Sequence, residues 1–325
     1  MPLTYDIHVH FAQLRGHAAT ENFLLHRPNV YVRAFLKQLG LSSRHLHTTQ
    51  ADTAIREKFL AWCTHAAVDR FVLLAMDGAH THAGLPDPPG TSWITANELV
   101  AELAAANAKL LWAASIHPYR ADAIPLLHRA IERGACLVKW IPSSQQIRLD
   151  DPRCVPFYDL LAHQRVPLLV HTGNEHASSR ARNAWNDPAL LAHPLRRGVT
   201  VMAAHCGARM FLYERCHFKT FARMARDHEH LYGDLAAFGI PTRIGILRQL
   251  RRSPDLLAKM LYGSDFPAFV LPRTFLFHIG LGKVREILRA PNPLDRPYLL
   301  MRAMDMPDEI FTRAARLLRL PGAAA

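Results

Sequence analysis

The sequence predicts an α/β protein built as one (β/α)8 (TIM) barrel. Eight short apolar runs are spaced along the 325 residues, and stretches with helical periodicity lie between most of them. Continuous apolar runs are typical of parallel strands that are covered by helices and buried on both faces. Eight such units close a barrel, whereas an open doubly wound sheet usually has about five to seven strands.

The predicted elements follow in chain order. The strands are Leu3–Val9, Arg70–Met76, Lys109–Ser115, Ala135–Ile141, Val166–Val170, Val199–Ala204, His230–Leu235 and Lys259–Tyr262. The clearest helices between them are Ala123–Arg133, Val155–Gln164, Thr220–Asp227 and Ile244–Arg252. No linker or change of composition divides the chain, so we assign residues 1–322 to one domain and 323–325 to a tail.

Two segments are longer than a minimal βα connection. Phe11–Gln50 follows the first predicted strand and Asp77–Asn97 follows the second. Both leave the carboxyl ends of strands, where barrel enzymes place substrate loops. The first is expected to be either a lid over the site or a subunit contact in a homo-oligomer. A further loop and closing helices are expected in Pro267–Pro321.

The composition is that of a globular protein with a substantial core. Half of the residues are hydrophobic and 20% are charged, which argues against global disorder. The net charge of +12 would attract an anionic small-molecule substrate or nucleic acid. The basic residues are dispersed, so solvated helix faces explain most of this charge, and no signature of RNA or DNA binding accompanies it. We therefore expect no nucleic-acid partner.

The compartment is inferred from features that are missing from the sequence. The first residues show no secretory signal, and no apolar run approaches the ~18 residues that span a bilayer. The five cysteines are widely spaced without a CxxC pair, which indicates neither a disulfide framework nor a zinc knuckle. A cytoplasmic protein without a membrane partner is the expectation.

The first predicted strand ends in two histidines. Side chains alternate between the faces of a strand, so Asp6, His8 and His10 are expected to share one face. Ile7 and Val9 would then face the other way. Two imidazoles at positions i and i+2 converge well on one metal ion, because neutral imidazole nitrogen is a good ligand for zinc and similar metals.

Single polar residues end three other strands. His171, His205 and Asp265 follow the apolar runs of the fifth, sixth and eighth strands, and Lys139 lies within the fourth. A buried lysine must lose its charge or gain a partner. Taken singly, each has a structural explanation, such as a helix cap or a snorkelling side chain. Together they fall at the carboxyl ends of barrel strands, which indicates a metal site.

At these residues the sequence resembles the amidohydrolase superfamily. More narrowly, it is similar to the amidohydrolase-2 branch, which includes decarboxylases of the aminocarboxymuconate-semialdehyde type. The resemblance extends over nearly the whole chain, and the segments that carry it are Asp6–His10, Ser115–Pro118, Gly134–Trp140, Pro167–Gly173, Gly263–Pro267 and Phe311–Leu318.

The resemblance implies a role for each polar strand-end residue. His8, His10, His171 and Asp265 resemble the ligands of the metal in one-metal members. His205 resembles the histidine that binds a second metal, or that orients water or substrate where only one metal is present. Lys139 resembles the lysine that bridges two metals when it is carboxylated. Asp265 also resembles the aspartate that takes a proton from the water that the metal activates.

The resemblance also implies a cofactor and a reaction. We expect one or two divalent cations, with zinc first and manganese or iron as alternatives. The expected reaction is hydrolysis of an amide, lactone or ester bond in a small molecule, with Asp265, His205 and Lys139 as catalytic residues. The alternative is metal-dependent nonoxidative decarboxylation of an aromatic or muconate-like acid, which would use the same ligands. A third hypothesis is a barrel that has lost catalysis and serves as a binding protein.

Substrate contacts are expected from residues that follow the barrel strands. These are Trp140, Asn174, His117 and Arg209. Arg209 is suited to a forked interaction with a substrate carboxylate. A helix-surface position is the equally favoured alternative for this arginine.

Overall fold

The structure, a computed structural model, describes residues 2–11, 49–176, 178 and 180–320. Eight parallel strands form one sheet in sequential order from β1 to β8. The strands are β1 Tyr5–His10, β2 Arg70–Leu74, β3 Leu110–Ala114, β4 Leu137–Trp140, β5 Leu168–His171, β6 Val201–Ala204, β7 Leu231–Asp234 and β8 Met260–Leu261. All eight predicted strands are present, each within a few residues of its expected ends.

Backbone hydrogen bonds join the last strand region to the first. The amide of Ile7 donates to the carbonyl of Tyr262 at 3.1 Å, and the amide of Asp265 donates to that of His8 at 2.9 Å. The amide of His10 donates to the carbonyl of Phe266 at 2.8 Å. The sheet is therefore nearly closed, and the predicted barrel is confirmed.

Helices follow most of the strands, as a parallel barrel requires. They are α1 Thr49–His65, α2 Asn97–Ala106, α3 Ala123–Glu132, α4 Pro142–Gln145, α5 Val155–His163, α6 Ala192–Arg196, α7 Phe218–Asp227, α8 Ile244–Arg251, α9 Pro254–Leu257, α10 Leu276–Arg289, α11 Asp295–Ala303 and α12 Asp308–Thr312. The helices predicted from the sequence match α3, α5, α7 and α8 to within two residues at each end.

Alternate strand residues belong to two separate apolar clusters. Val72, Leu169 and Met202 are in one cluster, which fills the barrel interior. Their strand neighbours, such as Phe71 and Val170, pack with helix residues in the second and larger cluster. Because the strands are buried on both faces, they appear in the sequence as unbroken apolar runs.

A β-bulge in β1 corrects one of the predictions. Asp6 pairs with Phe71, and Val9 pairs with Leu73, so the two residues between them oppose only one residue of β2. Phe71 and Val9 belong to the larger cluster, which packs against the helices, whereas Ile7 belongs to the cluster that fills the barrel interior. Asp6 therefore faces the helices and Ile7 the interior, contrary to simple alternation. His8 and His10 still converge, because the bulge turns His8 inward.

The C-terminal segment covers the amino-terminal end of the barrel. Leu318 packs in the interior cluster, and the amide of Arg319 donates to the carbonyl of Cys136 at 3.1 Å. The opposite end, where the strands finish, is left to the connecting loops. Most of the predicted Phe11–Gln50 excursion and the predicted 323–325 tail lie outside the described residues. Within those residues, none of the helices has the length and apolar character to span a bilayer.

Candidate metal centre

Four of the predicted ligands meet at the carboxyl end of the barrel. The Nε2 atoms of His8 and His10 are 3.2 Å apart. One carboxylate oxygen of Asp265 lies 3.1 Å from His8 Nε2 and 3.5 Å from His10 Nε2. His8, His205 and Asp265 each offer a ligand atom, and these atoms all lie within 4.8 Å of one another. Residues from β1 and from the ends of β6 and β8 thus converge on one point.

His171 and Lys139 adjoin this cluster. The rings of His171 and His205 are 4.7 Å apart between centroids. His171 Nε2 and Lys139 Nζ are both buried, and neither has a hydrogen-bond partner within the described part of the chain. Burial lowers the pKa of His171 to about 3 and that of Lys139 to about 8. Buried polar atoms without partners are costly, so a ligand that engaged them would relieve that cost.

Asp234, at the end of β7, fixes the orientation of His8. One oxygen of its carboxylate lies 2.7 Å from His8 Nδ1, and the other accepts the amides of His205 at 2.8 Å and Ala236 at 3.1 Å. Burial alone would raise the pKa of Asp234, but the charge and hydrogen bond of His8 outweigh it and bring the pKa to about 2. An ionised acceptor at Nδ1 holds the ring proton on that nitrogen when His8 is neutral, so Nε2 would then offer its lone pair to a metal.

Asp234 was not among the residues predicted from the sequence, although a signal was present. Asp234 is the polar residue that ends an apolar strand, in the same position as the residues identified on the fifth, sixth and eighth strands. Applying the same rule to the seventh strand would have found it.

His205 and His171 also have protein oxygen atoms near their outer nitrogens. His205 Nδ1 lies 3.0 Å from the carbonyl oxygen of Ala236. His171 Nδ1 lies 3.6 Å from a carboxylate oxygen of Glu175, which was also missed. A protein acceptor on the outer nitrogen, with the inner nitrogen left for a metal, is the usual arrangement at histidine-ligated sites.

Two of the converging residues have an unusual backbone conformation. His205 has φ 62° and Asp265 has φ 63°, both in the left-handed region that residues other than glycine rarely adopt. Such positions cost on the order of 1–3 kcal/mol each and cluster at functional sites. Here they turn the side chains of the residues after β6 and β8 toward His8.

Gly263 gives His8 the space that it needs. A Cβ atom at Gly263 would lie 2.8 Å from His8 Cβ and 3.5 Å from Asp234 Oδ2. The first distance is shorter than real contacts allow. Asp6 secures the same junction from the helix side, since its carboxylate accepts the amides of His8 at 3.1 Å and Ser264 at 2.9 Å.

Trp140 was predicted to contact the substrate, but its side chain does not face the barrel mouth. Its indole is fully buried against the rings of Phe157 and Tyr158 in α5, and Nε1 donates to the carbonyl of Ile116 at 2.9 Å. Strand alternation explains the difference, because an inward Lys139 places the next residue on the helix side.

His117 is likewise turned into the protein. Its Nε2 lies 2.8 Å from the carbonyl oxygen of Gln145, and its Nδ1 accepts the amide of Tyr119 at 3.2 Å. Both ring nitrogens are therefore engaged within the protein, and the side chain is fully buried. The ring lies 4.5 Å from that of His80, and this pair holds the loops after β2 and β3 together.

Asn174 and Arg209 lie on the loops after β5 and β6, and both are half-buried. Burial would raise the pKa of Glu214, but the amides of Phe211 and Met210 and the nearby side chain of Asn174 lower it. Arg209 donates from Nη1 to the carbonyl of Leu212 in its own loop at 3.2 Å. The predicted roles of Asn174 and Arg209 in substrate binding stay predictions.

The donor set fits a divalent cation. Imidazole nitrogens combined with a carboxylate are typical of zinc sites, and also suit manganese or iron. The unpartnered Nε2 of His171 and Nζ of Lys139 provide an independent sign that the site takes up a further group. The structure thus contains a candidate metal site of two histidines and one aspartate, with three further candidate ligands beside it.

Comparison with known proteins identifies the fold. No family model and no curated protein matches the chain, but 89 chains of solved structures do. One is an uncharacterized TIM-barrel protein from Bordetella bronchiseptica, with 17% identity, a TM-score of 0.56, and coverage of 92% of this chain and 99% of that one.

Two further solved structures have names that describe an activity. One is a probable 2-pyrone-4,6-dicarboxylic acid hydrolase from Acinetobacter baumannii, with 12% identity, a TM-score of 0.55, and coverage of 97% and 98% of the two chains. The other is a 2,6-dihydroxybenzoate decarboxylase, with 14% identity, a TM-score of 0.51, and coverage of 94% and 99%. At these identities the likeness establishes the fold alone. The chain therefore shares its (β/α)8-barrel fold with proteins that include a probable hydrolase and a decarboxylase.

Proposed function

We propose that the protein is a metal-dependent hydrolase of the amidohydrolase-2 type, which cleaves an amide, lactone or ester bond in a small molecule. The observation that carries this proposal is the convergence of His8, His205 and Asp265 at one end of the barrel, with ligand atoms within 4.8 Å of one another. The sequence resemblance and the shared fold support it. An anionic substrate would be compatible with the net charge of +12.

The metal would be held by His8, His10, His171 and Asp265, with zinc as the first expectation. His205 and Lys139 would complete a second position if two ions bind. A bound divalent cation supplies Lewis-acid chemistry, which polarises a carbonyl oxygen and lowers the pKa of a coordinated water toward about 7.

Asp265 is the proposed general base. Burial opposes its ionisation, but the neighbouring imidazoles of His8, His205 and His10 hold its pKa well below the usual range. The carboxylate is therefore ionised at neutral pH, so it can accept a proton from the attacking water and return it to the leaving group. His205, with Nδ1 bound to Ala236, is placed to orient the carbonyl of the substrate.

Nonoxidative decarboxylation is the second candidate, and one observation favours it. The ammonium group of Lys139 is buried with no hydrogen-bond partner in the described part of the chain. A carboxylate of an aromatic or muconate-like substrate would be a suitable counter-ion for this group. Carboxylation of Lys139 would satisfy the same nitrogen without a substrate carboxylate. The buried lysine therefore does not displace hydrolysis as the first candidate.

Isotope labelling distinguishes the two reactions. The zinc-loaded protein is incubated with candidate lactones, esters, amides and aromatic acids in water enriched in oxygen-18. The proposal expects oxygen-18 in the product and no release of CO2. Release of CO2 without label in the product would favour the decarboxylase instead. A protein that takes up no stoichiometric metal from zinc-, manganese- or iron-supplemented medium would contradict both.

A further inference from the structure

Arg243 is a buried cation beside the candidate metal centre. It ends the short 3-10 turn Pro241–Arg243 just before α8 and is only 4% exposed. No carboxylate of the described residues lies within ion-pair distance of its guanidinium, and the charges of Asp265 and Asp234 act on it only from further away. Burying an unpaired charge is costly, and an apolar side chain would avoid that cost. The position of Arg243 therefore calls for a specific role.

The guanidinium is held by carbonyl oxygens of the two loops that carry the centre. Its Nε donates to Arg209 at 3.2 Å, and its Nη2 donates to Ala208 at 3.4 Å, both in the loop after β6. Its Nη1 donates to Ala236, in the loop after β7, at 2.9 Å. A planar group with five donors is suited to such a bridge, whereas a lysine is not.

The carbonyl of Ala236 links this bridge to His205. It accepts Arg243 Nη1 at 2.9 Å and lies 3.0 Å from His205 Nδ1, whereas the two nitrogens are 3.5 Å apart. The shorter distances favour two donors on one oxygen over a bond from arginine to imidazole. His205 Nδ1 therefore carries the proton, and the lone pair of Nε2 is left for the cluster.

We propose that Arg243 is a positioning residue for His205, which fixes the Ala236 carbonyl and thereby the nitrogen that His205 presents to the metal. The inference rests on the proposed function and takes His205 as a metal ligand together with His8 and Asp265, whose ligand atoms lie within 4.8 Å of one another. Arg243 does not touch the reacting atoms in this role. Its effect on the metal is transmitted through the carbonyl of Ala236 and the imidazole of His205.

The test compares Arg243→Met with Arg243→Lys in the full-length protein, using Co2+ as the probe. Arg243→Met is expected to weaken Co2+ binding by about 10- to 100-fold and to change the visible absorption spectrum, which reports coordination geometry. Arg243→Lys keeps the charge but loses the planar set of donors that bridges the two loops. Its Co2+ affinity should therefore lie between those of Arg243→Met and the wild type. Unchanged affinity and spectrum in both variants would overturn the proposal.

Arg313 offers a matched control. Its Nη1 also donates to two backbone carbonyls, those of Leu257 and Met260, at the opposite end of the barrel. Arg313→Met should lower stability without changing the Co2+ spectrum. An equal change in both arginine variants would show that Arg243 has only a general structural role.

Nuclear magnetic resonance of the metal-free protein separates this inference from the proposed function. Nitrogen-15 shifts should show His205 protonated at Nδ1 in the wild type, with a smaller fraction of that tautomer in Arg243→Lys. Protonation at Nε2 in the wild type would refute the inference whether or not the protein binds metal. Failure of the wild type to bind Co2+, with the Nδ1 tautomer present, would count against the proposed function alone.

Discussion

A histidine can bind a metal only through a nitrogen that carries a lone pair, so the partner of its other nitrogen determines what it can do. In this centre the outer nitrogens of His8 and His205 are held at 2.7 and 3.0 Å by acceptors. Both acceptors lie in or just after β7, which contributes no predicted ligand. The seventh strand therefore controls the centre indirectly.

Replacement of Asp234 tests this control at the residue scale. Asp234→Asn keeps the shape of the side chain but removes the anionic acceptor of His8 Nδ1. We expect zinc affinity, measured by competition with a chelator, to fall by about 10- to 100-fold. Asp69→Asn is the control, since Asp69 accepts two hydrogen bonds from Thr4 near the opposite end of β1. Wild-type affinity in Asp234→Asn would contradict the prediction.

The candidate ligands could be predicted from the sequence. The residues that hold these ligands in position could be predicted only in part. A polar residue at the end of an apolar run is visible in the sequence, which is why His171, His205 and Asp265 were found. The same rule extends to Asp234. Arg243 has no comparable signal among 39 basic residues, because its importance comes from three backbone carbonyls that only the folded loops bring together.

At the scale of elements, the junction of β8 with β1 is closely packed around His8. Gly263→Ala would place a methyl group 2.8 Å from His8 Cβ. We expect a loss of about 1–3 kcal/mol in the free energy of unfolding by urea, and weaker zinc binding because His8 is displaced from Asp234.

A second glycine provides the comparison. Gly245 lies in α8, and a Cβ there would meet no atom within 4 Å. Gly245→Ala should leave zinc binding unchanged and stabilise the protein by about 0.5–1 kcal/mol, because alanine favours the helix. Equal effects at the two glycines would argue against close packing around His8.

The loops after β2 and β3 depend on a neutral histidine. Burial lowers the pKa of His117 to about 3, from an ordinary value of 6.5. The unfolded chain therefore binds a proton below pH 6.5 that the folded protein takes up only near pH 3. The stabilisation due to neutral His117 is complete above pH 6.5 and is lost as the pH falls toward 3.

This dependence can be measured by urea unfolding at pH 7 and pH 4. The proton on His117 should account for about 3 kcal/mol of the stability that the wild type loses between these values. His117→Gln should lose less stability over the same interval than the wild type. His128→Gln, at an exposed position of α3, is the control. Parallel losses in the wild type and His117→Gln would disprove the assignment.

The β1 bulge shows why the strands could be predicted from the sequence but the facing of their residues only in part. The apolar runs located every strand, because burial on both faces depends on composition. The bulge between Asp6 and Val9 inserts one residue without any change in composition. The facing of Asp6 and Ile7 therefore could not be read from the pattern. Trp140, in contrast, was placed wrongly even though alternation with Lys139 indicated the helix side.

For the whole molecule, the candidate ligands join distant parts of the chain. His8 and Asp265 belong to the first and last strand regions, which meet at the closure of the barrel. Zinc that binds only the folded state should stabilise it by about 2.7 kcal/mol at a free concentration 100 times the dissociation constant.

Thermal unfolding measures this linkage. The Tm of the wild type should rise by several degrees on addition of zinc and return to its initial value with a chelator. His171→Ala should show little or no zinc-dependent rise, because it removes one of the proposed ligands. A similar rise in both proteins would place the bound zinc elsewhere.

The left-handed backbone at His205 and Asp265 has a consequence for the evolution of this chain. Glycine at either position would relax the main chain, yet it would also delete a reactive side chain. Main-chain stability and the proposed metal centre therefore make opposite demands at the same two residues. A descendant that no longer used the proposed centre would gain stability by replacing them with glycine, so loss of the centre should appear first at these two positions.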